Sequence, residues 1–148
     1  EQATQMGVAL HSALEWATHS NAPQIISAEL LMARCELNQM QAQTVAQWVN
    51  ALIQHPAHQK WFDQKLYDEA HNEMALVDSE GKVKRIDRWV RYGACITVID
   101  YKSAWADENL PAYEAQVREY IDLMRQVYPE CTVQGLLLRV DGVAHIVT

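Results

Sequence analysis

Asp87, Asp100 and Lys102 have the residue types and spacing for cation-assisted chemistry at an anionic ester. They lie in one stretch, Lys82–Ser103. It reads Lys-Val-Lys-Arg-Ile-Asp-Arg-Trp-Val-Arg-Tyr, a Gly93-Ala94 joint, then Cys-Ile-Thr-Val-Ile-Asp-Tyr-Lys-Ser. Both halves are rich in β-branched and aromatic residues, which predicts two strands joined at the glycine. Residues two apart on a strand share a face, so Asp100 and Lys102 project together, and a hairpin brings Asp87 beside them. Two carboxylates and an ammonium on an apolar sheet are costly unless something binds there. A divalent cation is the simplest such ligand. It would neutralise the ester and acidify a water, while Lys102 orients that water or stabilises transition-state charge. A nearby cation would also lower the Lys102 pKa and suit it to a role as base.

The flanking sequence supplies the elements that must hold this stretch. Helical spacing of Met6, Leu10, Leu14 and Ala17 predicts a helix over Thr4–Thr18, ended by Asn21-Ala-Pro. A second helix is expected over Gln24–Glu36, with Ile25, Leu30, Leu31 and Cys35 on its apolar side, and a third over Gln39–Gln54 with Asn38 as a cap. Pro56 starts a short helical turn ending near Phe62. A strand falls within Leu66–Asp78, followed by a Ser79-Glu80-Gly81 turn and the two central strands. A loop carrying Trp105 leads to Pro111 and a helix over Tyr113–Tyr128; strands at Thr132–Val140 and Val143–Val147 close the chain. The expectation is one α/β domain over residues 1–148, helical over 1–65 and mixed over 66–148, with the acidic site on the central strands.

With 148 residues, 49% apolar and 21% charged, the chain has the composition of one globular domain. No apolar run is long enough to span a bilayer, and no signal peptide is recognisable, so no membrane partner is expected. The first residue is Glu1, which fits a processed protein or a piece excised from a longer chain. Cys35, Cys95 and Cys131 are isolated and odd in number, which disfavours a cysteine-held zinc or iron–sulfur site and suits a reducing cytosol. A net charge of −7 argues against a nucleic-acid binder that relies on a basic surface, but a carboxylate site filled by a cation reverses the local field.

Three strands with Asp on the second and Asp-x-Lys on the third, then a helix, resemble the PD-(D/E)XK nuclease superfamily and its restriction-endonuclease-like core. Further pieces are similar to the RecB/AddA-like nuclease domains of UvrD/Rep-type helicase–nucleases. Gly7-Val-Ala-Leu-His11 resembles their opening Gly-x-x-x-His helix, and Ile86-Asp87-Arg88 their second motif. Val98-Ile99-Asp100-Tyr101-Lys102-Ser103 resembles the third, and Tyr113-x-x-Gln116-x-x-x-Tyr120 the Gln-x-x-x-Tyr helix. The four pieces occur in the family's order from Gly7 to Tyr120. The resemblance implies a metal held by His11, Asp87, Asp100 and the backbone carbonyl of Tyr101, with Lys102 completing the catalytic set. Gln116 and Tyr120, one helical turn apart, would hydrogen-bond Lys102 or a DNA phosphate. Glu73 is a candidate further ligand or holder of a water. Nitrogen from His11 is better tolerated by Mn²⁺ than by Mg²⁺. The family often has Gly three residues before the second-motif Asp; Lys84 stands there in this chain. No phosphate-cradling G-x-x-x-x-G-K-[ST] loop is present, so no motor is expected in this segment.

The expected activity is Mg²⁺- or Mn²⁺-dependent hydrolysis of DNA, exonucleolytic on single strands, in a bacterial cytoplasmic protein of end processing and recombinational repair. Helicase domains of the same chain and a second subunit are the expected partners. The alternatives are a catalytically silent DNA-binding or scaffolding module and a phosphoesterase of small nucleotides. Each proposed site residue also has an ordinary reading. Asp87 would pair with Arg85 or Arg88, Asp100 and Lys102 would form a solvated edge pair, and His11 would be a packed helix residue. Gln116 and Tyr120 would be interior packing with a polar tip. Trp16, Trp48, Trp61 and Trp89 read as core; Trp105 is a base-stacking or loop-anchoring residue; Arg85, Arg88 and Arg91 contact phosphates or balance local acids.

Overall fold

The computed structural model describes residues 2–19 and 23–148, without the side chains of Gln2 and Ala3. Helix α1 spans Gln2–Ala17, α2 Ala28–Cys35 and α3 Gln39–Gln54. A 3-10 turn at Pro56–His58 runs into α4, Gln59–Phe62. Strands β1 (Glu69–Val77), β2 (Val83–Tyr92) and β3 (Cys95–Lys102) follow, then α5 (Leu110–Val127), β4 (Thr132–Arg139) and β5 (Ala144–Val147). The five strands form one sheet in sequence order. Only the β3–β4 pair is parallel, because α5 carries the chain back across the sheet between them. This is the expected mixed sheet flanked by helices with a helical N-terminal segment.

Local chemistry sets the helix bounds. Asn38 caps α3 in a capping box: its side chain accepts from Gln41 N at 2.9 Å, and the Gln41 side chain accepts from Asn38 N at 3.0 Å. The second helix begins four residues later than its pattern predicts. Ser27 accepts from Leu30 N and caps it there, while the Asn50 amide clamps the backbone of Ile26 from both sides in an extended form. Ile25, expected on the apolar side, is therefore 68% exposed. The expected break at Asn21-Ala-Pro falls largely outside the described residues, which resume at Pro23.

Two cores sandwich the sheet. Leu10, Leu14, Leu31, Val45, Val49 and Leu52 of α1–α3 pack on one face against Val90, Ile99, Leu136 and Leu138. Val117, Ile121 and Met124 of α5 pack on the other against Trp89, Ile96, Val98 and Leu137. The side chains of β3 alternate between these cores, with Ile96 and Val98 toward α5 and Ile99 and Tyr101 toward α1. Among the described residues no helix is long and apolar enough to cross a membrane.

Gly135 of β4 sets the seat of α5. A Cβ there would collide with Val117 Cγ1 and press on Ile121 Cδ1 at 3.1 Å. Gly135→Ala is therefore expected to destabilise the fold by about 1–3 kcal/mol in urea unfolding, the range for overpacking a tight contact.

Candidate active site

The β2–β3 ladder runs from Tyr92↔Cys95 to Arg88↔Ile99 and stops. Continued register would set Asp87 opposite Asp100 and Ile86 opposite Tyr101. Instead the Tyr101 N–H donates to Asp87 Oδ2 at 2.9 Å, so a side chain takes the place of the next ladder carbonyl. The alternation of β2 slips at the same point. Arg88 faces the α1 side, yet Ile86, two residues away, packs in the α5-side core. Across β1 the ladder omits one rung between Asn72↔Arg88 and Met74↔Ile86, the one that would set Glu73 opposite Asp87. Glu73 is a non-glycine at φ +52. Such a backbone inside a strand is strained, and strain of this kind gathers at functional sites.

His11 reaches this gap from α1. Its Nδ1 donates to the Gly7 carbonyl at 2.8 Å, and its Nε2 lies 3.1 Å from Asp87 Oδ2. Burial alone would lower the ring's pKa, but the hydrogen bond and charge of Asp87 outweigh it and raise it to about 9. Gly7 thus supplies a carbonyl that fixes the ring. A Cβ at Gly7 would meet nothing within 4 Å, so packing does not demand glycine there.

Asp100 and Lys102 share the α5 face of β3, as their spacing predicts. Lys102 Nζ lies 3.1 Å from Asp100 Oδ2 and 4.5 Å from the Tyr113 ring centroid, held between a carboxylate and an aromatic face. The Asp100 side chain is only 7% exposed. Desolvation first, then the charge of Asp87, pushes its pKa up to about 7 against the pull of Lys102. Despite the ion pair, Asp100 Oδ2 makes no aligned hydrogen bond. Tyr120 is buried, and burial plus the Asp100 and Asp87 charges hold its phenol well above its usual range. Gln116 sits beside its hydroxyl on the exposed side of α5.

The structure therefore brings His11, Asp87, Asp100, Lys102 and Tyr120 to one place and leaves Gln116 at its rim. Lys84 forms a 3.3 Å ion pair with Glu119 and ties β2 to α5. Neither Arg85 nor Arg88 pairs with Asp87; Arg85 donates to the Glu73 carbonyl at 3.3 Å. Two contributors were not assigned from sequence. Tyr113, which the sequence shows only as the first residue of the Gln116–Tyr120 motif helix, lays its ring under the Lys102 ammonium. Glu15, one turn after His11, stands close enough to Glu73 to help raise its pKa, behind desolvation and Asp87. Its i+4 spacing from His11 was the available signal.

The donor set suits a hard divalent cation. Asp100 Oδ2 is a buried oxygen without an aligned donor, and it stands beside a second carboxylate. With Nδ1–H given to Gly7, a neutral His11 presents its Nε2 lone pair toward that pair. The Tyr101 carbonyl leaves the strand on the same side as its N–H, toward Asp87. Among the described residues, however, no three His, Cys, Asp or Glu side chains form a ready metal cage. His11 lies against Asp87 directly. Replacing Glu73 by Asn should raise the stability of the metal-free protein by about 1 kcal/mol in thermal unfolding. Asn adopts left-handed backbone more readily and removes a charge facing Asp87 and Glu15.

None of the curated proteins matches the chain in sequence. Among solved structures, the small subunit (R.BspD6I2) of the heterodimeric restriction endonuclease R.BspD6I is similar at 14% identity with a TM-score of 0.36. That likeness covers 49% of this chain and 41% of the subunit, so this chain spans well under two thirds of it. SSO0001 is similar at 15% identity with a TM-score of 0.39, over 98% of this chain and 76% of that one. Both likenesses are too distant to carry an argument about function. The family model of the PD-(D/E)XK nuclease superfamily matches residues 1–145. The chain belongs to the PD-(D/E)XK nuclease superfamily.

Proposed function

We propose that this chain is the Mg²⁺- or Mn²⁺-dependent DNA nuclease module of a RecB/AddA-like helicase–nuclease, cutting single strands from their ends. The observation that carries this reading is the break in the β2–β3 ladder. It puts Asp87 and Asp100 side by side, with His11 and Lys102 in contact with one each. The helicase context is supported by the order Gly7-x-x-x-His11, Ile86-Asp87-Arg88, Asp100-Tyr101-Lys102 and Gln116-x-x-x-Tyr120. Helicase domains and a second subunit are the partners this reading implies, in a cytoplasmic setting and in DNA end processing and recombinational repair.

Asp87, Asp100, His11 Nε2 and the Tyr101 carbonyl would hold the cation, with Glu73 as a further oxygen ligand. When bound, the cation supplies neutralisation of the phosphate and acidification of a water. The protein's own groups do the rest. Tyr101 N–H fixes the Asp87 carboxylate, and Gly7 fixes the imidazole tautomer. The Lys102 ammonium, steadied by Tyr113, orients the attacking water and meets charge developing on the phosphate oxygens. Tyr120 offers a buried hydroxyl donor beside Asp100.

A second reading, a silent DNA-binding module, is favoured by the absence of a ready metal cage among the described residues. Calorimetry with Mn²⁺ separates the two. The nuclease reading predicts saturable binding that Asp100→Ala removes, and metal-dependent loss of a labelled single strand that the same variant abolishes. DNA binding with no heat on adding excess Mn²⁺ would support the silent module. Lys102→Met should keep Mn²⁺ binding but lower single-turnover cleavage by about 10²–10³-fold, the scale for losing one group aimed at transition-state charge.

A further inference from the structure

Tyr101 stands between Asp100 and Lys102, and its backbone N–H holds Asp87. Its side chain turns to the other face of the sheet, into the α1-side core, where the residue is 3% exposed. The ring meets His11 edge-on, with 6.2 Å between centroids. The hydroxyl at the far end of that ring is buried and has no hydrogen-bond partner among the described residues. An unpaired phenol in a core is unfavourable, and phenylalanine would fill the same space without that cost.

Three charged side chains stand close enough to act on this hydroxyl: Arg88, Asp87 and Glu73. A phenol proton needs an acceptor, and a guanidinium is none. Asp87 is committed at the other end of the same residue, with Oδ2 2.9 Å from Tyr101 N and 3.1 Å from His11 Nε2. Glu73 remains. Its backbone carbonyl accepts from Arg85, but its carboxylate makes no hydrogen bond or ion pair among the described residues. Desolvation first, then the charges of Asp87 and Glu15, raise its pKa. An unpaired acid and an unpaired buried donor therefore share the α1 side of the gap.

We propose that the Tyr101 hydroxyl is a positioning donor for Glu73, and that the two pair once a divalent cation lies beside Asp87. This rests on the nuclease reading above. Without a cation, turning the Glu73 carboxylate inward sets it against Asp87, and that repulsion outweighs one hydrogen bond. A bound cation reverses the local field. One Glu73 oxygen then accepts from Tyr101, and the other is left for the cation site. A carboxylate held by a buried donor is oriented before it ligates, which strengthens metal binding. The omitted ladder rung at Glu73 means that its side chain can turn without breaking a strand hydrogen bond.

Calorimetry with Mn²⁺ and urea unfolding in chelator, both on the whole chain, test this together. Tyr101→Phe keeps the ring. In chelator it should unfold at the same urea concentration or a higher one, because the hydroxyl has no partner there. It should weaken Mn²⁺ binding about tenfold, the size of one hydrogen bond to a charged group. In a Glu73→Ala background the same substitution should change Mn²⁺ affinity by no more than about twofold, since the hydroxyl acts through Glu73. Unchanged Mn²⁺ affinity in Tyr101→Phe, an equal loss in both backgrounds, or a loss of stability in chelator would each overturn the proposal and leave the nuclease reading standing. Failure of the unaltered chain to bind Mn²⁺ would overturn both.

Discussion

One hydrogen bond organises this molecule's chemistry: the Tyr101 N–H given to the Asp87 carboxylate where a ladder carbonyl should stand. In a regular hairpin each N–H on the inner side meets a carbonyl of the partner strand. Once a side chain accepts instead, β2 and β3 part and a gap opens between the two helical layers. Asp87 and Asp100 face that gap as the first pair beyond the last ladder rung. The strained backbone at Glu73 and the face change at Ile86 are the same event seen on neighbouring strands.

The two cores make that gap usable. α1, packed through Leu10 and Leu14, delivers His11 from one side. α5, seated against Gly135, delivers Tyr113 and Tyr120 from the other. Burial of apolar surface in each core holds its helix in place and opposes the mutual repulsion of the carboxylates. The raised pKa of Asp100 records that repulsion and its burial together. On the proposed function, a cation bound there would restore the stability that this repulsion gives up.

Much of this was legible in the sequence, for reasons that are local. Period-two alternation gave β3 and the common face of Asp100 and Lys102; Asn38 as a cap gave the start of α3. Motif order tied His11 to residues 76 and more positions away, a contact that no local signal reveals. What stayed hidden depends on tertiary context. The start of α2 is decided by Asn50, a residue on another helix. Nothing about Glu73 advertises positive φ, because the strand around it, not its side chain, imposes it. Arg85, Arg88 and Arg91 look alike in sequence and have three fates. Arg85 donates to a backbone carbonyl, Arg88 is buried without an acid among the described residues, and Arg91 is paired with Asp68 and Glu69.

The most direct measurement is anomalous diffraction from crystals soaked in Mn²⁺. The account predicts one strong peak between the Asp87 and Asp100 carboxylates, within bonding distance of His11 Nε2, with Lys102 no longer bound to Asp100 alone. A peak elsewhere, or Asp87 still bonded to His11 in saturating Mn²⁺ with no density between the carboxylates, would contradict it.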